Sequence, residues 1–311
     1  MISDERLFEV AVAYYIQKKT QVQIAKDLGV SHVQVGKYLK EALKRDIVSI
    51  TVNLPVSKDE EGRMRSLFKE IFGLKHLVLV QGSENSDKSL ERVVSKATSY
   101  LLDAYPDVPT RVGYGWGRTM QALSLNSSEL ARKTHWTYIP ACILAKGTDN
   151  SYYDTIRLTR NLAEQWGGRV DEEMVEKLEL ARKTQSEELM ADCRRSWQNL
   201  SFLICGLGCA TNRYPKQREG LFSEQVFREV NMKSLVGDIL HNFYDIDGNV
   251  FPGQGKDLMI PLEDMHKIPT VIAVASGFPK VESIIGGLRS GLVDTLVTDV
   301  QTARHVIEYL K

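Results

Sequence analysis

The chain has 311 residues, of which 43% are hydrophobic, and its 40 basic residues balance its 40 acidic residues. This composition predicts a globular protein with one large core and room for a small additional unit. No segment approaches the roughly 18 consecutive apolar residues of a membrane span, and residues 1–20 lack a signal-peptide pattern, so we expect a cytoplasmic protein without membrane contact. The four cysteines form no CxxC pair, which favours reduced, buried thiols over disulfides or a zinc site.

The first 50 residues predict three helices. An amphipathic pattern over residues 4–18 predicts the first. Two capping-box patterns follow, at Thr20 and Ser31, each with a glutamine three residues later, and Gly29 between them is the left-handed residue that ends a helix. Together these signals predict a helix-turn-helix, whose second helix enters the DNA major groove. A helical hairpin packed in a core without touching DNA is the alternative.

The charge distribution favours DNA. The stretch from Lys26 to Arg45 carries five basic and two acidic residues, a local charge of +3 in a neutral chain. The residues expected to face DNA are Thr20, Gln21, Ser31, His32, Val33, Gln34, Gly36, Lys37, Lys40 and Lys44. Gln34 could pair with adenine, Lys37 could reach guanine or phosphate, and the later cations, including Arg45, could contact phosphates. An interior glycine such as Gly36 costs about 1 kcal/mol relative to alanine, and its missing side chain would let the backbone approach the duplex.

A proline-containing charged stretch, NLPVSKDEEG, predicts a domain boundary that separates residues 1–55 from residues 56–311. In the second part, short apolar runs alternate with helical patterns. The runs are HLVLVQ at 76, RVGYGW at 111, WTYIPACILA at 136, SFLICGLG at 201, TVIAVASG at 270 and LVDTLVTD at 292. This alternation predicts an α/β domain with a doubly wound, mostly parallel sheet.

Three glycine-rich junctions follow predicted strands. The first, VGYGWGRTM, places Gly115 and Gly117 before Arg118 and Thr119, which open a helix. Backbone N–H groups, a helix N-terminus and these two side chains suit a phosphate, although the glycines could merely permit a tight turn. The spacing GxGxG differs from the GxGxxG of nicotinamide-binding loops, which argues against NAD. The other two junctions contain Gly206 with Gly208, and Gly277 with Lys280.

Two further residues are candidate ligand contacts. Lys146 ends an apolar run and could form a Schiff base with an aldehyde if it were desolvated, or it could be a surface lysine. Asp238, in GDILHNFYDIDGNV, could accept a sugar hydroxyl, and the DIDG that follows it predicts a hairpin turn. The six histidines form no HExxH, and no GxSxG is present. We therefore predict a binding site without catalytic residues, metal or cofactor.

These motifs, in this order, resemble the SorC family of bacterial transcriptional regulators, which includes a deoxyribonucleoside-regulator branch. The resemblance rests on the helix-turn-helix, VGYGWGRTM, GLG, VGDILHNFYDIDGNV and the closing IPTVIAVASGFPKVESIIGGL. It implies an effector domain similar to sugar-phosphate isomerases and glucosamine-phosphate deaminases, a phosphorylated sugar as effector, and a homo-tetramer, a dimer of dimers, that binds operator DNA.

By that resemblance Gly117, Arg118 and Thr119 match phosphate-loop positions. Asp238 and Lys280 match effector contacts, and Lys146 matches the Schiff-base lysine of one branch. A sugar-phosphate isomerase or deaminase with an accessory helix-turn-helix is the second hypothesis. A protein-interaction adaptor is the third, and it would not need the local positive charge or the polar face of the second helix.

Overall fold

The computed structural model describes residues 2–48, 57–83, 85–105, 110–126, 134–143, 154–209, 234–253 and 258–311. The chain divides into two compact units, Met1–Leu54 and Pro55–Lys311. Within the described residues, no helix has the length and hydropathy needed to cross a membrane.

The described part of the first unit is helical. It contains α1 (Asp4–Ala11), a π-helical segment (Val12–Ile16), α2 (Gln21–Leu28) and α3 (His32–Lys44). The expectation of one continuous helix over residues 4–18 was wrong in its second half, where the backbone changes to the wider π form. The predicted α2 and α3 are present. Their buried residues pack with α1 in a small core: Val10, Ile24, Ala25, Val35 and Leu39.

The second unit contains the following helices and strands. The helices are α4 (Lys58–Phe72), α5 (Ser86–Ala104), α6 (Arg118–Ser124), α7 (Thr155–Trp166), α8 (Glu172–Thr184), α9 (Glu187–Gln198), α10 (Leu262–Met265), α11 (Val281–Arg289) and α12 (Val300–Tyr309). The strands are β1 (His76–Val80), β2 (Arg111–Tyr114), β3 (Thr134–Pro140), β4 (Cys142–Ile143), β5 (Gly167–Val170), β6 (Phe202–Cys205), β7 (Gly208–Cys209), β8 (Leu235–Ile239), β9 (Asn242–Asp245), β10 (Val250–Pro252), β11 (Leu258–Met259), β12 (Val271–Val274) and β13 (Thr295–Asp299).

A seven-stranded sheet forms the centre of this unit, in the order β1-β13-β12-β6-β2-β3-β5, and every pairing in it is parallel. Alternate residues of a strand point to opposite faces. In β6, Phe202 and Ile204 join the core shared with α5, α6 and α7, whereas Leu203 and Cys205 join the core on the other face. Helices therefore cover both faces, and the predicted doubly wound α/β fold is confirmed.

A smaller antiparallel sheet, in the order β10-β9-β8-β7, was not expected from the sequence. The predicted hairpin turn joins β9 to β10, where Asp245 Oδ1 accepts from the backbone N–H groups of Asp247 at 3.0 Å and Asn249 at 2.9 Å. Helix α11 packs closely against this sheet. A side chain at Gly286 would overlap the Asp245 carbonyl oxygen, so the glycine permits the contact.

Candidate functional site

Strands β2 and β6 are neighbours in the central sheet, and the chain leaves them toward opposite edges. After β2 it continues to β3 on one side, whereas the next strand of this sheet after β6 is β12, on the other side. Such a reversal opens a crevice at the carboxyl ends of the strands, where α/β proteins bind ligands. The three glycine-rich junctions follow β2, β6 and β12. The fold therefore brings all three to this edge of the sheet.

The first loop runs from β2 to α6. Gly115 is buried, and its backbone N–H donates to the Ile204 carbonyl oxygen at 2.9 Å. Gly117 has a φ of +118°, which side-chain-bearing residues rarely adopt, and no side chain caps α6. Arg118 is exposed and Thr119 is half-buried. The loop thus presents an uncapped helix start beside a charged donor and a neutral one.

The second loop links β6 to β7, beside the first. A side chain added at Gly206 would have its Cβ 3.7 Å from the Trp116 carbonyl oxygen. Gly208 pairs with Asp238 across β7 and β8, and a side chain there would overlap the Asp238 carboxylate. That carboxylate is half-buried and accepts from the backbone N–H of His241 at 3.1 Å. Asp238 is therefore held at the crevice with acceptor capacity left for a hydroxyl.

The third loop, after β12, carries Lys280 to the same edge. Its half-buried ammonium donates to the carbonyl oxygen of Leu207 in the second loop. The turn is fixed from behind, because the Gly277 N–H donates to Thr302 Oγ1 at 2.7 Å and that hydroxyl donates to Asp299 Oδ2 at 2.8 Å. The buried Asp299 also accepts from the Thr302 N–H at 2.8 Å.

Several residues of this edge were missed in the sequence. Ser283, one helical turn after Lys280, donates to the Gly208 carbonyl oxygen, and Tyr244 Oη lies 3.1 Å from Ser283 Oγ. Burial raises the pKa of Tyr244 well above its ordinary value, so its hydroxyl stays protonated. The Trp116 ring meets the His241 ring edge-on at 5.2 Å. Trp116 could have been predicted from the sequence, because it lies between Gly115 and Gly117 of the first loop.

The chemistry of the edge is that of a binding site. Two cationic side chains and glycine-rich backbone lie on loops at the carboxyl ends of the parallel strands, and the Asp238 carboxylate lies beside the second loop on β8. The nearby Cys205 is no nucleophile, because burial raises the pKa of its thiol to about 12. No disulfide joins the described cysteines, of which Cys142, Cys193 and Cys205 are buried as expected and Cys209 is half-buried. Among the described residues, no group of three or more His, Cys, Asp or Glu residues could hold a metal ion. Lys146 lies outside the described residues.

In the first unit, α2 starts with the complete predicted capping box. Thr20 Oγ1 accepts from the Gln23 N–H at 3.2 Å, and Gln23 Oε1 accepts from the Thr20 N–H at 2.8 Å. At α3 the expected box is only half formed. Ser31 Oγ accepts from the Gln34 N–H at 3.1 Å, but the Gln34 carboxamide makes no return bond in the described structure. The Gln34 carboxamide is therefore not used for capping and remains available for the predicted contact with adenine.

The predicted DNA-facing residues of α3 are largely exposed, and Gly29 at φ +65° forms the turn before it. The exposed residues are Thr20, Ser31, His32, Val33, Lys37, Lys40 and Lys44, and the half-buried ones are Gln21, Gln34 and Gly36. The space beside Gly36 is shared with Gln21, whose Oε1 would lie 3.3 Å from an added Cβ.

Arg45 has a role that its position in the charge cluster did not indicate. Its guanidinium donates to Asp4 at 2.8 Å and to Glu41 at 2.8 Å, and it also contacts the Ile2 carbonyl oxygen. Its hydrogen bonds to these two carboxylates, Asp4 first, raise the pKa of Arg45. Arg45 therefore links the end of α3 to the start of α1, and its contact with phosphate stays a prediction.

A doubly wound α/β domain with a ligand crevice, preceded by a small helical unit, is the class of protein that this geometry defines. The family model described as "Putative sugar-binding domain" matches residues 60–308. The chain is 22% identical to the sorbitol operon regulator of Klebsiella pneumoniae over 97% of each protein, and 22% identical to the transcriptional regulator LsrR of Escherichia coli K12 over 99% of this chain and 96% of LsrR.

The crystal structure of full-length SorC from Klebsiella pneumoniae has the same fold. Its TM-score is 0.64 at 24% identity, with 99% of this chain and 100% of that chain covered. The chain therefore belongs to the SorC family of transcriptional regulators, with the family's sugar-binding domain in its second unit. The resemblance seen in the sequence is confirmed.

Proposed function

We propose that this chain is a cytoplasmic regulator of carbohydrate metabolism that binds operator DNA through α3 and changes its operator affinity when a phosphorylated sugar binds in the crevice. The first unit would bind DNA, and the second would bind effector and assemble a homo-tetramer. The observation that supports effector binding by the second unit is the convergence of three glycine-rich loops at the switch point between β2 and β6.

The residues of the crevice support a sugar phosphate in particular. The uncapped start of α6, with Gly117, Arg118 and Thr119, suits the phosphate, because N–H groups and a cation stabilise an anion there. The Asp238 carboxylate could accept a hydrogen bond from a sugar hydroxyl. Lys280 could donate to the phosphate or to a hydroxyl in place of its bond to the Leu207 carbonyl oxygen. A ligand that spans these groups would bridge the first loop, the third loop and β8.

Binding without turnover is the proposed outcome. The named relatives are transcriptional regulators, and the protonated Tyr244 and Cys205 offer no base or nucleophile at neutral pH. A ligand that binds one of two states of the protein more tightly shifts the protein toward that state. Operator affinity then changes by the free energy that couples effector binding to DNA binding.

Thermal-shift measurements against a panel of sugar phosphates, each paired with its unphosphorylated sugar, test this proposal. Each compound that stabilises the protein is then assayed for turnover by NMR and for its effect on binding to DNA upstream of the protein's own gene. We expect a phosphate-dependent shift, no product and altered DNA affinity. The shift should be lost in Lys280→Ala and retained in Lys69→Ala, an exposed lysine of α4. Product formation would contradict the proposal.

A second measurement concerns Lys146. Borohydride reduction in the presence of an aldose phosphate traps any Schiff base as a stable mass increase on this lysine. An adduct located at Lys146 by peptide mass spectrometry assigns the effector to the aldehyde class. An unmodified Lys146 beside a clear thermal shift rejects the Schiff base and leaves non-covalent binding.

A further inference from the structure

The carboxamide of Gln21 lies across α3 beside Gly36. A methyl group added at Gly36 would stand 3.3 Å from Gln21 Oε1, which among the described residues outside α3 is the one atom within 4 Å of that position. Gly36 itself is half-exposed, on the same side of α3 as the exposed His32 and Lys40, one turn away on either side. The missing side chain of Gly36 therefore leaves a space on this face, and the Gln21 carboxamide lies at its edge, close enough that an added methyl would have to displace it slightly.

This carboxamide is not needed to hold the fold. The capping of α2 is done by Thr20 with Gln23, whose Oε1 accepts from the Thr20 N–H at 2.8 Å and the Thr20 hydroxyl at 3.0 Å. The side chain of Gln21, at the first helical position, makes no hydrogen bond with any other described residue. Its N–H₂ donor and its oxygen acceptor remain available at the surface.

A planar carboxamide offers one donor and one acceptor side by side. In the major groove, adenine alone presents the matching pair, its N7 acceptor beside its N6–H₂ donor, whereas guanine presents two acceptors. Val22 lies in the first turn of α2 and Val33 in the first turn of α3. They are exposed at 67% and 58% and add apolar surface beside the carboxamide.

We propose that Gln21 is a base-reading residue for adenine, and that Gly36 determines this specificity by leaving room for its carboxamide on α3. The inference rests on the proposed DNA-binding function and gives Gln21, which the sequence placed among the DNA-facing residues, the specific role of reading adenine. It also gives the interior glycine a reason other than close approach of the helix backbone to the duplex. The competing role for Gln21 is a phosphate contact, which positions the protein without reading sequence.

The test uses the full chain and a pool of random-sequence duplexes, from which a preferred site is selected and then varied base by base. Affinities are measured for the wild type, Gln21→Ala, Gln21→Met, Gly36→Ala and the double variant Gln21→Ala with Gly36→Ala. Gln17→Ala is the matched control, because it removes the same carboxamide from an exposed glutamine of the same unit. Far-UV circular dichroism verifies that each variant is folded, and Gln21→Met retains most of the side-chain volume.

We expect both Gln21 variants to lose a preference for A·T at one base pair, by about 5- to 150-fold, with other positions unchanged. Gly36→Ala should weaken the preference at the same base pair, because the new methyl displaces the carboxamide by a few tenths of an ångström. In the Gln21→Ala background the same glycine substitution should have no further effect on base preference, which is a non-additive result. Gln17→Ala should behave like the wild type.

Three results would overturn the inference. A uniform loss of affinity across all sequences in Gln21→Ala would make Gln21 a phosphate contact. An equal effect of Gly36→Ala with and without Gln21 would mean that the two residues act independently. A wild-type protein that selects no sequence from the pool would refute the proposed DNA-binding function itself, and with it the base-reading role.

Discussion

Replacing the buried Asp264 with asparagine should destabilise the second unit in a pH-dependent way. Burial alone would raise the pKa of this carboxyl, but hydrogen bonds from Arg194 at 2.8 Å, Gln198 at 2.9 Å and Lys267 at 3.0 Å outweigh it and lower the pKa from 3.8 to about 2. A folded-state pKa below the unfolded one gives stability that is complete above pH 4 and is lost as pH falls through 2. The difference corresponds to about 2 kcal/mol at pH 7, of which about half remains at pH 3.

Urea unfolding followed by tryptophan fluorescence measures this effect, since all four tryptophans belong to the second unit. We expect Asp264→Asn to lower the free energy of unfolding by about 2 kcal/mol at pH 7, and the gap to the wild type to narrow toward pH 3. Glu263→Gln is the control, because Glu263 bonds the same Arg194 from an exposed position and should contribute less than about 1 kcal/mol. A gap that stays constant between pH 7 and pH 3 would show that Asp264 acts through packing and not through its charge.

Three further substitutions test the packing of the second unit. Gly286→Ala should cost about 1 to 3 kcal/mol, because its methyl would overlap the Asp245 carbonyl oxygen; Gly62→Ala, with open space around its methyl, should stabilise its helix by up to about 1 kcal/mol, and urea unfolding distinguishes the two signs. Thr302→Val should cost about 1 to 3 kcal/mol by removing the acceptor of the Gly277 N–H, and should weaken sugar-phosphate binding in calorimetric titration; unchanged affinity would show that this hydroxyl does not position the third loop.

The central sheet could be predicted because its strands are buried on both faces. In β6 all four residues are buried, so the sequence shows a continuous apolar run that few other structures require. Strand β5, with the sequence GGRV at the edge of the sheet, carries no such signal, and its pairing with β3 depends on where the neighbouring helices place it. The antiparallel β8 was hidden for another reason. Its sequence LVGDI alternates between buried and half-buried residues over only five positions, which is too short to indicate a strand. Asp238 was considered only as a ligand contact.

The helical unit shows the same division between local and tertiary signals. Caps and the turn glycine are encoded within four residues of the positions that they fix, so α2 and α3 were predicted with their starts. The contact between Gln21 and Gly36 depends instead on how the two helices cross. Arg45 bonds Glu41, one turn earlier in α3, and Asp4, which only the packing of α1 against α3 brings near, so a count of charges placed it among the phosphate contacts.

The glycines of the crevice were assigned to ligand binding as one group, and the structure gives them different physical reasons. Gly117 needs its positive φ, and the space around it is open, so only backbone conformation excludes other residues there. Gly208 is excluded from carrying a side chain by the Asp238 carboxylate, and its carbonyl is held by Ser283. A substitution at Gly208 would therefore displace the acceptor proposed for the sugar hydroxyl, whereas one at Gly117 would strain the turn proposed for the phosphate. The two halves of a sugar phosphate can be tested separately through these two positions.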